Sequence, residues 1–400
     1  MAHSDTAINT KKAPVILLTA MAITSPLAMN IFAPVMPALS EAFNSNPFTI
    51  QLGFTLYLLT LAIGQLISGP LADFYGRRPV LLGGFILFIA GCLLGTFAVE
   101  VWQLLLARVL QAAGGCTGML LARSIILDQH EKDQAAGMLA YITLGIASAQ
   151  ALAPAIGGYL NLAAGWQTVF WLSMCPGIVV WLGVLLHLPE AKNQLSAAGG
   201  VFQSFSRYRT VLSSPGYIWY ALSSTMIACG FFIFITSAPF IVAQQLQGNS
   251  ADYGSWFLLV AGGFWLGSLT AGKASAKAGT SKMIQLGHII SASGALLMLV
   301  LFLWDSADYL TLFLPMALFT FGRGLSQPSA QAAAVSTTRD AVATATGLLG
   351  FFQLLIGAMM AQLAPLLMDI NLLMLPLILC LITFLALASA AKGNRLSRST

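Results

Sequence analysis

Gly69 to Leu82 reads GPLADFYGRRPVLL, a polar turn with one Asp and two Arg set between two long apolar runs. In a chain this rich in hydrocarbon side chains, such a turn joins two membrane helices on one face. Gly69 and Gly76 let two helix ends approach closely, Asp73 is placed to face a neighbouring helix N-terminus, and Arg77 and Arg78 keep their charges in water. An ordinary basic turn accounts for the arginines but not for the spacing of the glycines and the Asp.

Outward from this turn, 58% of the 400 residues are hydrophobic and 8% are charged, against roughly 25% charged in soluble domains. The chain therefore reads as an all-α membrane protein. Apolar runs long enough to cross about 30 Å of hydrocarbon lie near residues 13–37, 49–71, 79–99, 101–127, 135–160 and 166–188, and again near 216–242, 253–272, 283–303, 309–334, 341–367 and 372–391. The first run exceeds the apolar region of a secretory signal and reads as an uncleaved helix. Between the two sets, residues 189–214 are polar and suit a cytoplasmic linker. The expected organisation is an N-terminal six-helix bundle over 1–188, the linker over 189–214 and a C-terminal six-helix bundle over 215–400. Apart from Arg108 and Arg323, which fall deep within spans, every Lys and Arg falls at one side of the membrane. That asymmetry predicts about twelve spans with both termini cytoplasmic. The net charge of +5 is spread through these loops and predicts no nucleic-acid partner. The five cysteines sit in apolar runs and read as small core residues rather than a disulfide set.

The two halves repeat. Gly64, Gly69, Gly76 and Gly84 recur as Gly267, Gly272, Gly279 and Gly287 at a constant offset of 203 residues, while Asp73 and Arg77 become Ala276 and Thr280. A duplicated six-helix unit follows, with the charge set kept in the first copy.

Gly69, Leu71, Asp73, Gly76, Arg77 and Arg78 resemble the G-x-L-x-D-x-x-G-R-R/K signature of the major facilitator superfamily. Arg108, Gln111 and Gly114 are similar to that family's R-x-x-Q-G-x-G motif, with Ala112 at its first glycine. Pro154, Gly157 and Gly158 resemble the end of the G-P-x-x-G-G motif associated with antiporters, with Ala153 before the proline. Asn30, Pro34 and Pro37 resemble the D-x-x-x-P-x-x-P segment of the bicyclomycin and chloramphenicol resistance exporters, with Asn in place of the acid. The resemblance implies two pseudo-symmetric six-helix bundles of the major facilitator fold, in a cell inner membrane, around a shared substrate site that works by alternating access. It also implies a monomer without cofactors, exporting small amphipathic molecules or drugs on the proton gradient. The alternative is a dedicated exporter of an endogenous anion such as a carboxylate siderophore.

Within the spans the sequence holds no central carboxylate, since Asp73 and Asp128 lie at cytoplasmic ends, and Asn30 cannot titrate. What is embedded is positive: Arg108 and Arg323, about 10 Å and 20 Å into their spans. Each carries polar neighbours at helical spacing, Gln111 for the first and Ser326, Gln327 and Gln331 for the second. Two such stripes on corresponding helices predict one shared cavity that favours anions. For Arg108 a bracing role and a substrate contact weigh equally. Asn30, Tyr141 and Gln353 are further substrate-site candidates, because polar groups on central helices avoid lipid. Asp73, Arg77 and Asp128, with Gly69 and Gly76, are expected to latch the two halves. His288 reads first as a structural imidazole. Phe231, Phe232, Phe234, Trp256, Trp265, Phe351, Phe352, Met359 and Met360 are available to line an apolar pocket, and one or two of them are expected to do so. The chain contains no H-E-x-x-H, no G-x-x-x-x-G-K-[ST] and no embedded carboxylate pair, which argues against an enzyme.

Overall fold

A computed structural model describes residues 13–130, 132–188, 209–304, 308–338, 342–368 and 370–399. Twelve long helices run through them: α1 (Val15–Ala42), α2 (Pro47–Tyr75), α3 (Arg77–Thr96), α4 (Val101–Gln129), α5 (Lys132–Ala164) and α6 (Gln167–His187), then α7 (Pro215–Gln244), α8 (Ser250–Ala278), α9 (Thr280–Trp304), α10 (Tyr309–Ser336), α11 (Val342–Met368) and α12 (Met374–Ser399). Eleven are long and apolar enough to span a bilayer by length and composition. The exception is α10, which has the length at 28 residues. Its interior carries Arg323, Gln327 and Gln331, the polar stripe described above. Most of the polar segment expected as a linker, from 189 to 208, lies outside the described residues. Its remainder brings Val211 into a buried cluster before Pro215 opens α7.

Local chemistry sets the ends and breaks of these helices. Pro34 and Pro37 lack an N–H donor, and α1 tightens there into a 3₁₀ turn at Ala33–Val35 before resuming at Met36. Asn46 caps α2 by accepting from the Thr49 N–H, and Asn249 caps α8 by accepting from the N–H groups of Ala251 and Asp252. The two Asn residues stand at the same offset as the glycine repeat. At the other ends of these helices Gly76 (φ +90°) and Gly279 (φ +84°) turn the chain through a left-handed backbone conformation, which only glycine adopts without a steric cost.

Packing repeats with the sequence. In the first half α4 lies against α1, α2 and α3, α1 also against α5 and α6, and α3 against α6. In the second, α10 lies against α7, α8 and α9, α7 also against α11 and α12, and α9 against α12. The closest crossings are built from paired glycines. A β-carbon on Gly114 would overlap the Gly84 carbonyl, and one on Gly322 would overlap the Gly287 carbonyl, the close small-residue approach that membrane helices use.

The halves meet along α2–α11 and α5–α8. Near the face opposite the termini, one apolar core runs through both halves, from Ala28 and Phe54 to Phe234, Phe313 and Leu379. Toward the termini-bearing face it gives way to separate cores, one around Met21, Phe85 and Ile126 and another around Tyr217, Ala334 and Leu349. Gly69, Gly137, Gly272 and Gly347, at the termini-bearing ends of α2, α5, α8 and α11, each have open space where a β-carbon would be. The molecule is thus sealed between its halves at one face and parted at the other.

Candidate functional site

Polar bonds between the halves make the seal. Gln51 Nε2 donates to the Ala361 carbonyl, Thr55 Oγ1 donates to Gln362 Oε1 at 2.6 Å, and Gln362 Nε2 donates to the Phe48 carbonyl at 3.0 Å. Across α5 and α8, Asn161 donates to Ser250 Oγ at 2.9 Å, Ser250 donates to the Gly158 carbonyl at 3.0 Å, and Tyr159 meets Ser255 at 2.9 Å. Pro154, Gly157 and Gly158 supply close approach rather than a ligand site. A β-carbon at Gly157 would crowd the Ile31 carbonyl of α1, one at Gly158 would overlap the Ser250 carbonyl, and Gly254 of α8 rests on the Pro154 carbonyl.

Just beyond this seal, where the shared core ends, lies a small, partly open cleft. The first half contributes Ala147, Gln150 and Ala151 from α5. The second contributes Phe231, Phe257, Val260, Ala261, Phe264, Trp265 and Arg323. Arg323 is held there by close helix packing. Gly263 and Gly267 of α8 lie against the carbonyls of Ala317 and Phe321 on α10. That proximity brings the Phe264 ring to 4.9 Å from the guanidinium, with Phe231 at 4.2 Å. Arg323 Nε donates to Gln327 Oε1 at 2.7 Å. Two aromatic faces and an amide stabilise the cation in a setting where bare insertion costs about 2.5–3.5 kcal/mol.

Arg108 is placed differently, and the expectation of one cavity shared by both arginines is not met. It is 1% exposed, with its guanidinium over the rings of Phe32 at 4.3 Å and Tyr57 at 4.1 Å. It donates to the Ala28 carbonyl at 3.1 Å, the Gly53 carbonyl at 3.4 Å and Gln111 Oε1 at 2.7 Å. Gln111 in turn donates to Cys92 Sγ. Arg108 therefore braces α1, α2 and α4, and neither it nor Gln111 lines the cleft. The paired glycines explain the difference. Gly114 corresponds to Gly322, so Arg108 corresponds to Met316, two helical turns or about 10 Å from the level of Arg323.

Asn30 is buried, and its Nδ2 donates to the Pro26 carbonyl at 2.7 Å. Tyr141 is 67% exposed and lies outside the cleft lining. Gln353 donates to Ser224 Oγ at 2.8 Å and accepts from Gln331 Nε2 at 3.4 Å, linking α11, α7 and α10 beside the cleft rather than in it. His288 is buried, with Nε2 at 2.6 Å from Ser223 Oγ. Of the aromatic and methionine candidates, Phe231 and Trp265 reach the cleft, whereas Phe234 packs on Phe313 and Met359 is exposed. Four of the cysteines are buried or half-buried, but Cys175 is exposed on α6 rather than in the core. The sequence reading missed Gln150, although it is a polar residue inside a span like Tyr141. It also missed Phe257 and Phe264, which nothing distinguishes in sequence from residues facing lipid.

The expected latch is partly made, and within one half. Arg77 pairs with Asp128, joining α3 to α4, while Asp73 is exposed and has no ion pair among the described residues. Gly69 and Gly76 sit at the same end, where the halves are parted. The paired side chains are 29% and 54% exposed, so the link is weak. Asp128→Asn is expected to change the stability of the purified protein by less than about 1 kcal/mol. A melting curve shifted well beyond that would show a stronger tie.

The sequence profile of the Major Facilitator Superfamily matches residues 18–362, and the chain belongs to that family. It is similar to Multidrug resistance protein D of Escherichia coli (strain K12), 25% identical over 354 residues that make up 88% of each chain. It is similar also to Multidrug transporter MdfA of Yersinia pestis bv. Antiqua (strain Angola), 26% identical over 300 residues, 75% of this chain and 73% of that one. Among solved structures, that of the D-xylose-proton symporter superposes with a TM-score of 0.79 at 14% identity, over 95% of this chain and 96% of the other, a likeness of fold. The protein is a multi-pass membrane transporter.

Proposed function

We propose that this transporter is an exporter of small amphipathic molecules, driven by the proton gradient, which loads its substrate from the cytoplasm and releases it across the inner membrane by alternating access. The observation that carries the reading is the cleft between α5 and α8. It draws on both halves, its walls are mostly apolar and aromatic, and it lies next to the point where the halves part. A site shared between two rocking bundles is exposed first to one face and then to the other. The named multidrug relatives support export of this substrate class. The termini-bearing face is taken as cytoplasmic from the placement of Lys and Arg.

Transport into inverted membrane vesicles tests this directly, with amphipathic neutral, cationic and carboxylate compounds side by side. Gradient-dependent accumulation that a protonophore abolishes is the expected result. Accumulation only in right-side-out vesicles, or a rate indifferent to the gradient, would overturn it. Trp265→Ala is expected to reduce accumulation several-fold, as removing an aromatic contact costs about 1 kcal/mol or more.

A further inference from the structure

We infer that the α5–α8 cleft is a binding site for small aromatic monocarboxylates, the acid group paired with Arg323 and the ring held among Phe257, Phe264 and Trp265. This rests on the reading of the cleft as the substrate site and adds the chemistry of what enters it.

The first support is what Arg323 leaves free. Its Nε is committed to Gln327, and the guanidinium lies over the rings of Phe231 and Phe264. The Nη1 and Nη2 atoms make no hydrogen bond among the described residues. A guanidinium in that state offers its edge, the geometry that receives both oxygens of a carboxylate. Arg108 differs in its surroundings: Nε and Nη1 bond two backbone carbonyls and an amide, Nη2 has no partner among the described residues, and the whole group is closed off from the cleft.

The second support is charge. The cleft lining contains no acid, and the ion pair among the described residues, Arg77 with Asp128, lies at the termini-bearing end of α3 and α4. In a site of low dielectric constant an unpaired cation attracts an anion far more strongly than it does in water, and repels a second cation by the same law. Aromatic walls alone would suit a lipophilic cation. Here the Phe231 and Phe264 rings already lie against the protein's own guanidinium, whose positive charge disfavours a second cation beside them.

The third support is reach across the halves. Gln150 enters from the other half and offers both a donor and an acceptor to a polar substituent on the ring. A carboxylate on Arg323 with a substituent on Gln150 touches both bundles at once.

Equilibrium dialysis of the purified full chain in lipid nanodiscs tests the inference with three probes of one shape: 1-naphthoate, 1-naphthamide and 1-naphthylmethylammonium. The native protein is expected to bind the acid at least about tenfold more tightly than the amide, and the cation most weakly. Arg323→Gln is expected to lose that advantage, with the amide still bound within about twofold as evidence of an intact cleft. Arg323→Lys, which keeps the charge but not the paired donors, is expected to fall between them. Equal affinity of the native protein for acid, amide and cation overturns the inference without any variant, and so does native affinity for the acid in Arg323→Gln. Binding needs no gradient, so the two readings fail separately. A chain that binds naphthoate through Arg323 yet moves nothing in vesicles loses the export reading and keeps the site. A chain that exports naphthoate equally well with Arg323→Gln loses the site chemistry and keeps export.

Discussion

Gly158→Val is expected to transport at no more than about a tenth of the native rate while entering the membrane at a normal level. A side chain at this position runs into the Ser250 carbonyl and the Ala251 backbone of α8, main-chain atoms that cannot swing aside as a flexible side chain would. Overpacking of this kind costs about 1–3 kcal/mol, and the cost falls only on the state in which α5 and α8 are closed at the face opposite the termini. Each 1.4 kcal/mol applied to one of two states changes their ratio by about tenfold. The variant should therefore rest with that face open. The check is a cysteine at Ala251, which is 6% exposed in the sealed state, in a chain whose exposed Cys175 has been replaced by Ala. An impermeant thiol reagent added at that face should label Ala251→Cys much faster when Gly158→Val is present. Gly83→Val serves as control, since a β-carbon there meets nothing, and should transport normally. Native rates and slow labelling in Gly158→Val would show that this contact does not gate the cycle.

Arg108→Ala is expected to be the most damaging single substitution outside the cleft, reducing the folded protein recovered from membranes to a small fraction of the native amount. The change empties a volume lined by Phe32 and Tyr57 and leaves Gln111 Oε1 without its donor in a buried place. Lost packing together with lost hydrogen bonds of this kind amounts to about 3–5 kcal/mol, a large share of the margin of an ordinary domain. Arg108→Lys keeps the charge but cannot reach two carbonyls and an amide from one planar group, so it should assemble at a reduced level. The protein that does assemble should bind substrate as the native chain does, because Arg108 braces helices and does not line the cleft. Normal assembly of Arg108→Ala with weakened substrate affinity would reverse that assignment.

Both predictions turn on residues whose type was visible in the sequence and whose role was not. Membership of the fold was legible because it depends on local, repeated signals. Apolar runs near twenty residues fix spans, basic residues fix the turns, and glycines at a constant offset reveal a duplication, each readable without knowing what touches what. The caps at Asn46 and Asn249 follow the same offset and were legible in principle, as was Gln150.

The fate of the two embedded arginines was settled by tertiary structure. From sequence they stand on corresponding helices with similar polar neighbours, and helical spacing gives only the face and depth of each. What surrounds a guanidinium depends on which helices cross it and at what level. Gly84 against Gly114 and Gly287 against Gly322 fix those crossings, and in that frame Arg108 falls two turns away from the level of Arg323. One is closed in by Phe32 and Tyr57, and the other opens on a cleft between the halves. The same holds for the aromatic walls. In a bilayer an aromatic residue is equally at ease against lipid, a neighbouring helix or a substrate, so composition carries no label for the few that line a site. The sequence by itself determined the fold and the charge available to the site. Only the packing of α5 against α8 decided which arginine borders the cleft, because a cleft between two bundles is a property of neither bundle alone.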